Sequence, residues 1–169
     1  MNLSQRKKIS IMVTSVVIFF SVVVVGIIYA PTFFGMKTYA ILTGSMGETI
    51  PEGSMVYVQP CSEFEDYQIN DIVTFTDTKT GKSFTHRIIG IDTQNRSFTT
   101  KGDANNEQDL SPTYFSLAVG KVRMAVPYLG YVAEFFKSTV VKIVIAVIYI
   151  AIAAIEIELF LAERKKKYD

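Results

Sequence analysis

The sequence predicts a mainly β protein, in which a small antiparallel β domain lies between an N-terminal transmembrane helix and a second transmembrane helix near the other end. Three observations predict it. Ile9 to Ala30 runs 22 residues without a charge, Thr139 to Ala162 is mostly Val, Ile and Ala, and the stretch between breaks into short β-prone runs separated by turn formers. The 169 residues, 49% of them hydrophobic, suffice for one domain plus membrane segments and not for two ordinary domains.

As a helix, the segment 9–30 is about 33 Å long at roughly 1.5 Å per residue, enough to cross the hydrocarbon layer. A cleaved signal peptide is the competing reading. Its apolar core usually holds about 7 to 15 residues, and no clear small-x-small site follows in "YAPTFFG". A retained anchor is expected. In the second segment the strictly uncharged part, Ile143 to Ile155, is only 13 residues, bounded by Lys142 on one side and Glu156 and Glu158 on the other. Lys142 snorkelling to one interface and the glutamates sitting near the other extend the crossing to about 20 residues within 138–162. Val, Ile and Ala all round the wheel leave no polar face for a surface helix. Glu156 and Glu158 then either pair with a partner subunit or lie at the interface.

Basic residues set the expected orientation. Arg6, Lys7 and Lys8 precede the first helix, and Arg164, Lys165, Lys166 and Lys167 follow the second. Segments 1–8 and 163–169 are therefore expected as cytoplasmic tails, and 31–137 as the extracytoplasmic domain of a multi-pass cell-membrane protein. Phe33, Phe34, Met36 and Tyr39 on one side, and Tyr128, Leu129, Tyr131, Phe135 and Phe136 on the other, read equally as interfacial residues or as domain core.

Within 31–137, "GSMVYVQP" (Gly53–Pro60), "NDIVTFTD" (Asn70–Asp77), "KSFTHRIIGI" (Lys82–Ile91) and "RSFTTKG" (Arg96–Gly102) read as strands. "DTKTGK" and "DTQN" are loops of hairpin length, so successive antiparallel hairpins are expected. The net charge of +1, from 17 basic and 16 acidic side chains, gives no field for nucleic acid. Cys61 is alone and His86 is the only histidine, too few for a structural zinc site. No cofactor is expected.

Three polar features stand out. Ser45 lies in "TGSMG" before the first of these strands, His86 lies inside the third, and Asp103 and Asp109 lie in "KGDANNEQD" after the fourth. A serine hydroxyl becomes a nucleophile when an imidazole takes its proton and a carboxylate fixes the imidazole tautomer. The plain readings compete: a Ser beside Gly is usually a turn residue, a strand His is usually structural, and Asp103 with Asn105 and Asn106 looks like an Asx-stabilised loop.

The four boxes "TGSM" with "IPEGSMVYV", "NDIVTFTD", "THRIIGI" and "TTKGDANNEQD", in this order, resemble the membrane-bound type I signal peptidases. The likeness is to the branch of the endoplasmic reticulum, archaea and some Gram-positive bacteria, where His replaces the Lys of the common bacterial enzymes. A fifth box, "GKVRMAVPYLGYV", looks like the family's closing strand segment. The resemblance implies Ser45 as nucleophile, His86 as general base, and Asp109 orienting His86, with Asp103 supporting the loop or the Ser45 region. It also implies cleavage of preprotein signal peptides after small residues, as in A-x-A. The expected partners are those signal peptides and the lipid bilayer, with the Sec translocon or another membrane subunit beside them, and no nucleic acid.

One departure stands out: the family often reads "GSMEPTIP" where this chain has "GSMGETIP", so Gly47 and Glu48 replace Glu and Pro. Gly adds backbone freedom that Pro removes. A catalytically weak or silent relative serving as an assembly factor is the alternative this leaves. A self-cleaving repressor-type peptidase would need a catalytic Lys and a DNA-binding domain, and neither is visible.

Overall fold

The computed structural model describes residues 3–77 and 80–168. Thr78 and Lys79 of the expected "DTKTGK" loop lie outside the described residues, as do Met1, Asn2 and Asp169 of the tails. The chain divides into two compact units, 29–134 and the pair of terminal segments 1–28 and 135–169.

The first unit is a seven-stranded antiparallel sheet. Its strands are β1 (Lys37–Ala40), β2 (Met55–Gln59), β3 (Ile72–Thr76), β4 (Ser83–Asp92), β5 (Ser97–Lys101), β6 (Thr113–Tyr114) and β7 (Ala118–Val126), in the order β1-β2-β7-β3-β4-β5-β6. The β3–β4 and β4–β5 pairs are the expected hairpins. β2 and β3 are not neighbours: β7 inserts between them, setting Val58 against Val122 and Val73 against Lys121. Both hairpins expected from "DTKTGK" and "DTQN" are present, and the insertion of β7 is an addition to that reading. The connection from β2 to β3, residues 60–71, is too long for a tight hairpin turn and holds a 3-10 turn, Phe64–Asp66, closed by a reciprocal Glu63–Asp66 capping box. The fifth box also splits. Its strand stops at Val126, Tyr128 takes a φ of +62°, and helix α2 (Leu129–Lys137) follows Pro127, where a continuous strand segment was expected.

Two apolar clusters hold the sheet. Phe64, Tyr67, Val73, Phe75, Ile88 and Phe98 form one, with Phe64 stacked on Phe98 at 5.1 Å. Ile41, Met46, Ile50, Val56 and Val58 form the other. Fully burying a side chain of this size contributes about 2 kcal/mol. Register shifts at Tyr57/Val58, Thr74/Phe75 and Ile88/Gly90 add local twist, as β-bulges do. Of the aromatic residues near the helices, Phe33 is 89% exposed and Tyr128 70%, whereas Tyr39 is half-buried against the second cluster.

The other unit comprises the long apolar helices α1 (Leu3–Tyr29) and α3 (Thr139–Tyr168). Gln5–Phe34 and Thr139–Ala162 are long and apolar enough to cross a membrane, with mean hydropathy 2.9 and 2.6. The helices meet at two polar rungs. Thr14 donates to Glu156 at 2.8 Å, and the Ser21 and Tyr149 hydroxyls are hydrogen-bonded at 2.8 Å. The rungs are seven residues apart on each helix, the heptad repeat that keeps one face of a helix turned toward its neighbour.

Candidate active site

Ser45 is presented by a 3-10 turn, Gly44–Met46. The turn is pinned from below, because Met46 is fully buried in the second apolar cluster while Ser45 beside it remains half-buried. Gly47 reverses the chain at φ +55°, and its N–H donates to the Gly44 carbonyl at 3.0 Å. That conformation favours glycine, and a Cβ there would also press on Ala104 Cβ at 3.1 Å. This gives "GSMG" its local reason.

The loop after β5 straps this turn from the side. Ala104 N–H donates to the Ser45 carbonyl at 2.9 Å. Gly102 lies so close that an added Cβ would fall 2.5 Å from the same carbonyl oxygen. The two polar boxes, over fifty residues apart in sequence, are thus one piece of backbone structure.

His86 sits on β4, opposite Val73 of β3, with the Phe84 ring edge-on at a centroid distance of 5.5 Å. Its Nε2 is 3.3 Å from Ser45 Oγ, and its Nδ1 is 2.7 Å from Asp109 Oδ2. A carboxylate only accepts, so the proton belongs on Nδ1, which leaves Nε2 free to accept the serine hydroxyl proton. Asp109 is fixed in turn: its N–H donates to the Thr100 carbonyl at 2.9 Å, and Oδ2 accepts from Thr100 Oγ1 at 2.6 Å.

Asp103 has a different partner. Arg87 grips it with two parallel bonds, Nε to Oδ1 at 2.8 Å and an Nη to Oδ2 at 2.6 Å, and donates a third to the Asn70 carbonyl. This bidentate contact holds the Asp103 carboxyl below the usual carboxylate range, against the opposing effect of partial burial. The same hydrogen bond raises Arg87 above its already high ordinary value.

Of the residues singled out in the sequence, the structure gathers Ser45, His86 and Asp109 in one line and sets Asp103 beside them as the partner of Arg87. Sequence reasoning missed Thr100 and Ala104. Both lie inside or next to "TTKGD", and nothing local marks either as different from its neighbours. No group of three His, Cys, Asp or Glu side chains fit to hold a metal ion gathers among the described residues.

A cleft of about 160 Å³ opens beside Ser45, lined by Tyr39, Ile41 and Thr43 on one side and by Ser83 and Thr85 of β4 on the other. β1 is an edge strand of the sheet, so backbone groups along its outer side are open to an added strand. A shallower hollow of about 380 Å³ includes Phe84, His86, Asp109 and Leu117.

A family profile described as "Signal peptidase, peptidase S26" matches residues 12–117. The chain is also 35% identical over 85 residues to Signal peptidase I W of Bacillus subtilis (strain 168). The aligned stretch is 48% of this chain and 44% of that relative, under half of either protein.

Proposed function

Because the chain belongs to the signal peptidase family, peptidase S26, we propose that it is a membrane-bound serine endopeptidase that removes signal peptides from translocated preproteins. The observation that carries this reading is the line of Ser45, His86 and Asp109, with contacts of 3.3 and 2.7 Å.

The steps are those of acyl transfer. Ser45 Oγ attacks the carbonyl at the end of the signal peptide while His86 Nε2 takes its proton. Asp109 keeps the imidazole in the useful tautomer and stabilises the imidazolium. The Ser45 backbone N–H, or a donor beside it, faces the developing oxyanion. His86 returns the proton to the leaving amine, and water then releases the signal peptide from the ester by the same route in reverse. Asp103, tied to Arg87, supports the loop that straps Ser45.

The substrate lies extended against the free edge of β1, its alternate side chains turned into the cleft beside Ser45. A cleft of about 160 Å³ suits small side chains, as in A-x-A. Both helices span the cell membrane with the basic tails inside, which holds the β domain on the outer face, where the end of a translocated apolar segment emerges. Tethering there raises effective concentration without new contacts.

The test is to incubate the purified full chain in detergent with candidate preproteins and to sequence the new N-termini. New termini after small residues, absent with Ser45→Ala, are expected. Preproteins left intact by the wild-type chain under conditions where a known signal peptidase cuts them would favour the silent assembly factor instead.

A further inference from the structure

We propose that Thr100 is a positioning residue that aims Asp109 at His86, extending the line of three groups to four. The proposal rests on the reading of Ser45, His86 and Asp109 as the catalytic groups.

Thr100 is fully buried on β5, and it holds Asp109 at two points, through the carbonyl that accepts the Asp109 N–H and through the hydroxyl that donates to Oδ2. Oδ2 is the same oxygen that faces Nδ1 of His86. Thr100 Oγ1 also lies 3.2 Å from Thr113 Oγ1 on β6. A hydroxyl has one proton, and that of Thr100 is committed to Asp109, so the Thr113 hydroxyl donates to Thr100. Donation thus runs from Thr113 to Thr100 and from Thr100 to the Asp109 carboxylate, which accepts.

This arrangement answers a mechanical need. Asp109 is on a loop, and the terminal torsion of an aspartate is soft, so its carboxylate needs an external stop to keep one oxygen on the imidazole. Thr100 supplies the stop from a rigid place. It is β-branched and stiff about χ1, and its backbone is paired with Ile88 of β4, the strand that carries His86. His86 and Thr100 are thereby held on neighbouring strands, and the loop carboxylate is clamped by both.

The experiment compares Thr100→Val, Thr100→Ala and Thr100→Ser with wild type in the full chain in detergent. It measures kcat and KM on a synthetic peptide with alanine at the −1 and −3 positions, with His86→Ala alongside. Thr100→Val, which keeps the shape and loses the hydroxyl, is expected to lower kcat about tenfold to a hundredfold with KM changed less than about twofold. Thr100→Ser, which restores the donor, is expected to recover kcat to within about threefold of wild type. In an Asp109→Asn background Thr100→Val is expected to cost nothing more, since the residue acts only through that carboxylate. Thr100→Ala is read in the same way, so a packing fault in the valine variant does not decide the matter.

A kcat unchanged in Thr100→Val and Thr100→Ala while His86→Ala is inactive overturns the role of Thr100 and leaves the three-residue reading standing. Equal losses in the valine and serine variants, or a full further loss on top of Asp109→Asn, assign Thr100 to structure alone and overturn it too. Undiminished cleavage by His86→Ala overturns the catalytic reading itself, and this proposal with it.

Discussion

His86 Nδ1 and Asp109 Oδ2 are 2.7 Å apart, and the residues that carry them lie on different kinds of structure, a strand interior and a loop. The strand fixes where the imidazole points, and the loop carboxylate fixes which of its nitrogens carries the proton. Asp109→Asn separates these two contributions. The amide keeps the shape but offers an N–H as well as an oxygen, so the imidazole can settle in the wrong tautomer. A fall in kcat of about three orders of magnitude is expected, with KM nearly unchanged. Steady-state cleavage of a signal-peptide substrate measures it, and a loss under about fivefold would show that Asp109 does not orient the base.

Gly102 is a point of close approach between the two polar boxes, beside the Ala104 to Ser45 hydrogen bond. In Gly102→Ala the new methyl would meet the Ser45 carbonyl at 2.5 Å, and the Asn105 side-chain nitrogen lies at 2.9 Å on another side. One of the two backbones has to move. A loss of stability of about 2 kcal/mol is expected from overpacking of this kind, together with a drop in kcat of at least about tenfold as Ser45 Oγ shifts from His86. Denaturant unfolding and the cleavage assay, run on the same preparation, read the two effects.

The Arg87–Asp103 pair predicts a pH dependence of stability distinct from that of catalysis. The folded state holds the Asp103 carboxyl below its unfolded value. A depressed carboxyl contributes stability that is fully present above the unfolded value and is lost as the pH falls through the folded one. The wild-type chain should therefore lose this contribution only below about pH 4. In Asp103→Asn the contribution is absent at neutral pH, with a cost of about 1 kcal/mol for a partly exposed pair, and the gap to wild type narrows in acid. Unfolding midpoints at neutral pH and below pH 4 check the sign; a gap that widens in acid contradicts the assignment.

The two polar rungs predict that α1 and α3 pair within one chain. With Cys61 replaced by Ser, the double variant Thr14→Cys with Glu156→Cys should react with a short thiol-to-thiol cross-linker to give an intramolecular product. Protease cleavage within the β domain followed by a denaturing gel identifies it, because the two helical fragments stay joined. Linkage only between separate chains would instead place the hydrogen-bond partner of Glu156 on a second copy or another subunit.

Much of the architecture is legible in local pattern. The long uncharged runs announce α1 and α3 because a helix that crosses lipid must be apolar on all sides. The β3–β4 and β4–β5 hairpins announce themselves because their turn residues and their strands are adjacent in sequence. "GSM", "THR" and "KGDANNEQD" name Ser45, His86, Asp103 and Asp109 as candidates, through residue type and resemblance. β1 and β6 escape notice because strands of four and two residues carry too little pattern to register. The place of β7 between β2 and β3 is invisible for another reason: it depends on pairing between segments more than forty residues apart in sequence, and no turn encodes it.

The sequence alone thus determined the composition of the molecule, apolar helices flanking a β domain, and the short roster of groups able to do chemistry. The resemblance favoured Asp109 over Asp103 for the imidazole, but only the tertiary structure decided the partners that hold each acid where it is, since the two share a loop and local pattern names neither Arg87 nor Thr100. Arg87 on β4 captures Asp103, while Thr100 on β5 turns Asp109 toward His86. Hydrogen bonds choose partners by distance and direction in space, and a linear order of residues specifies neither.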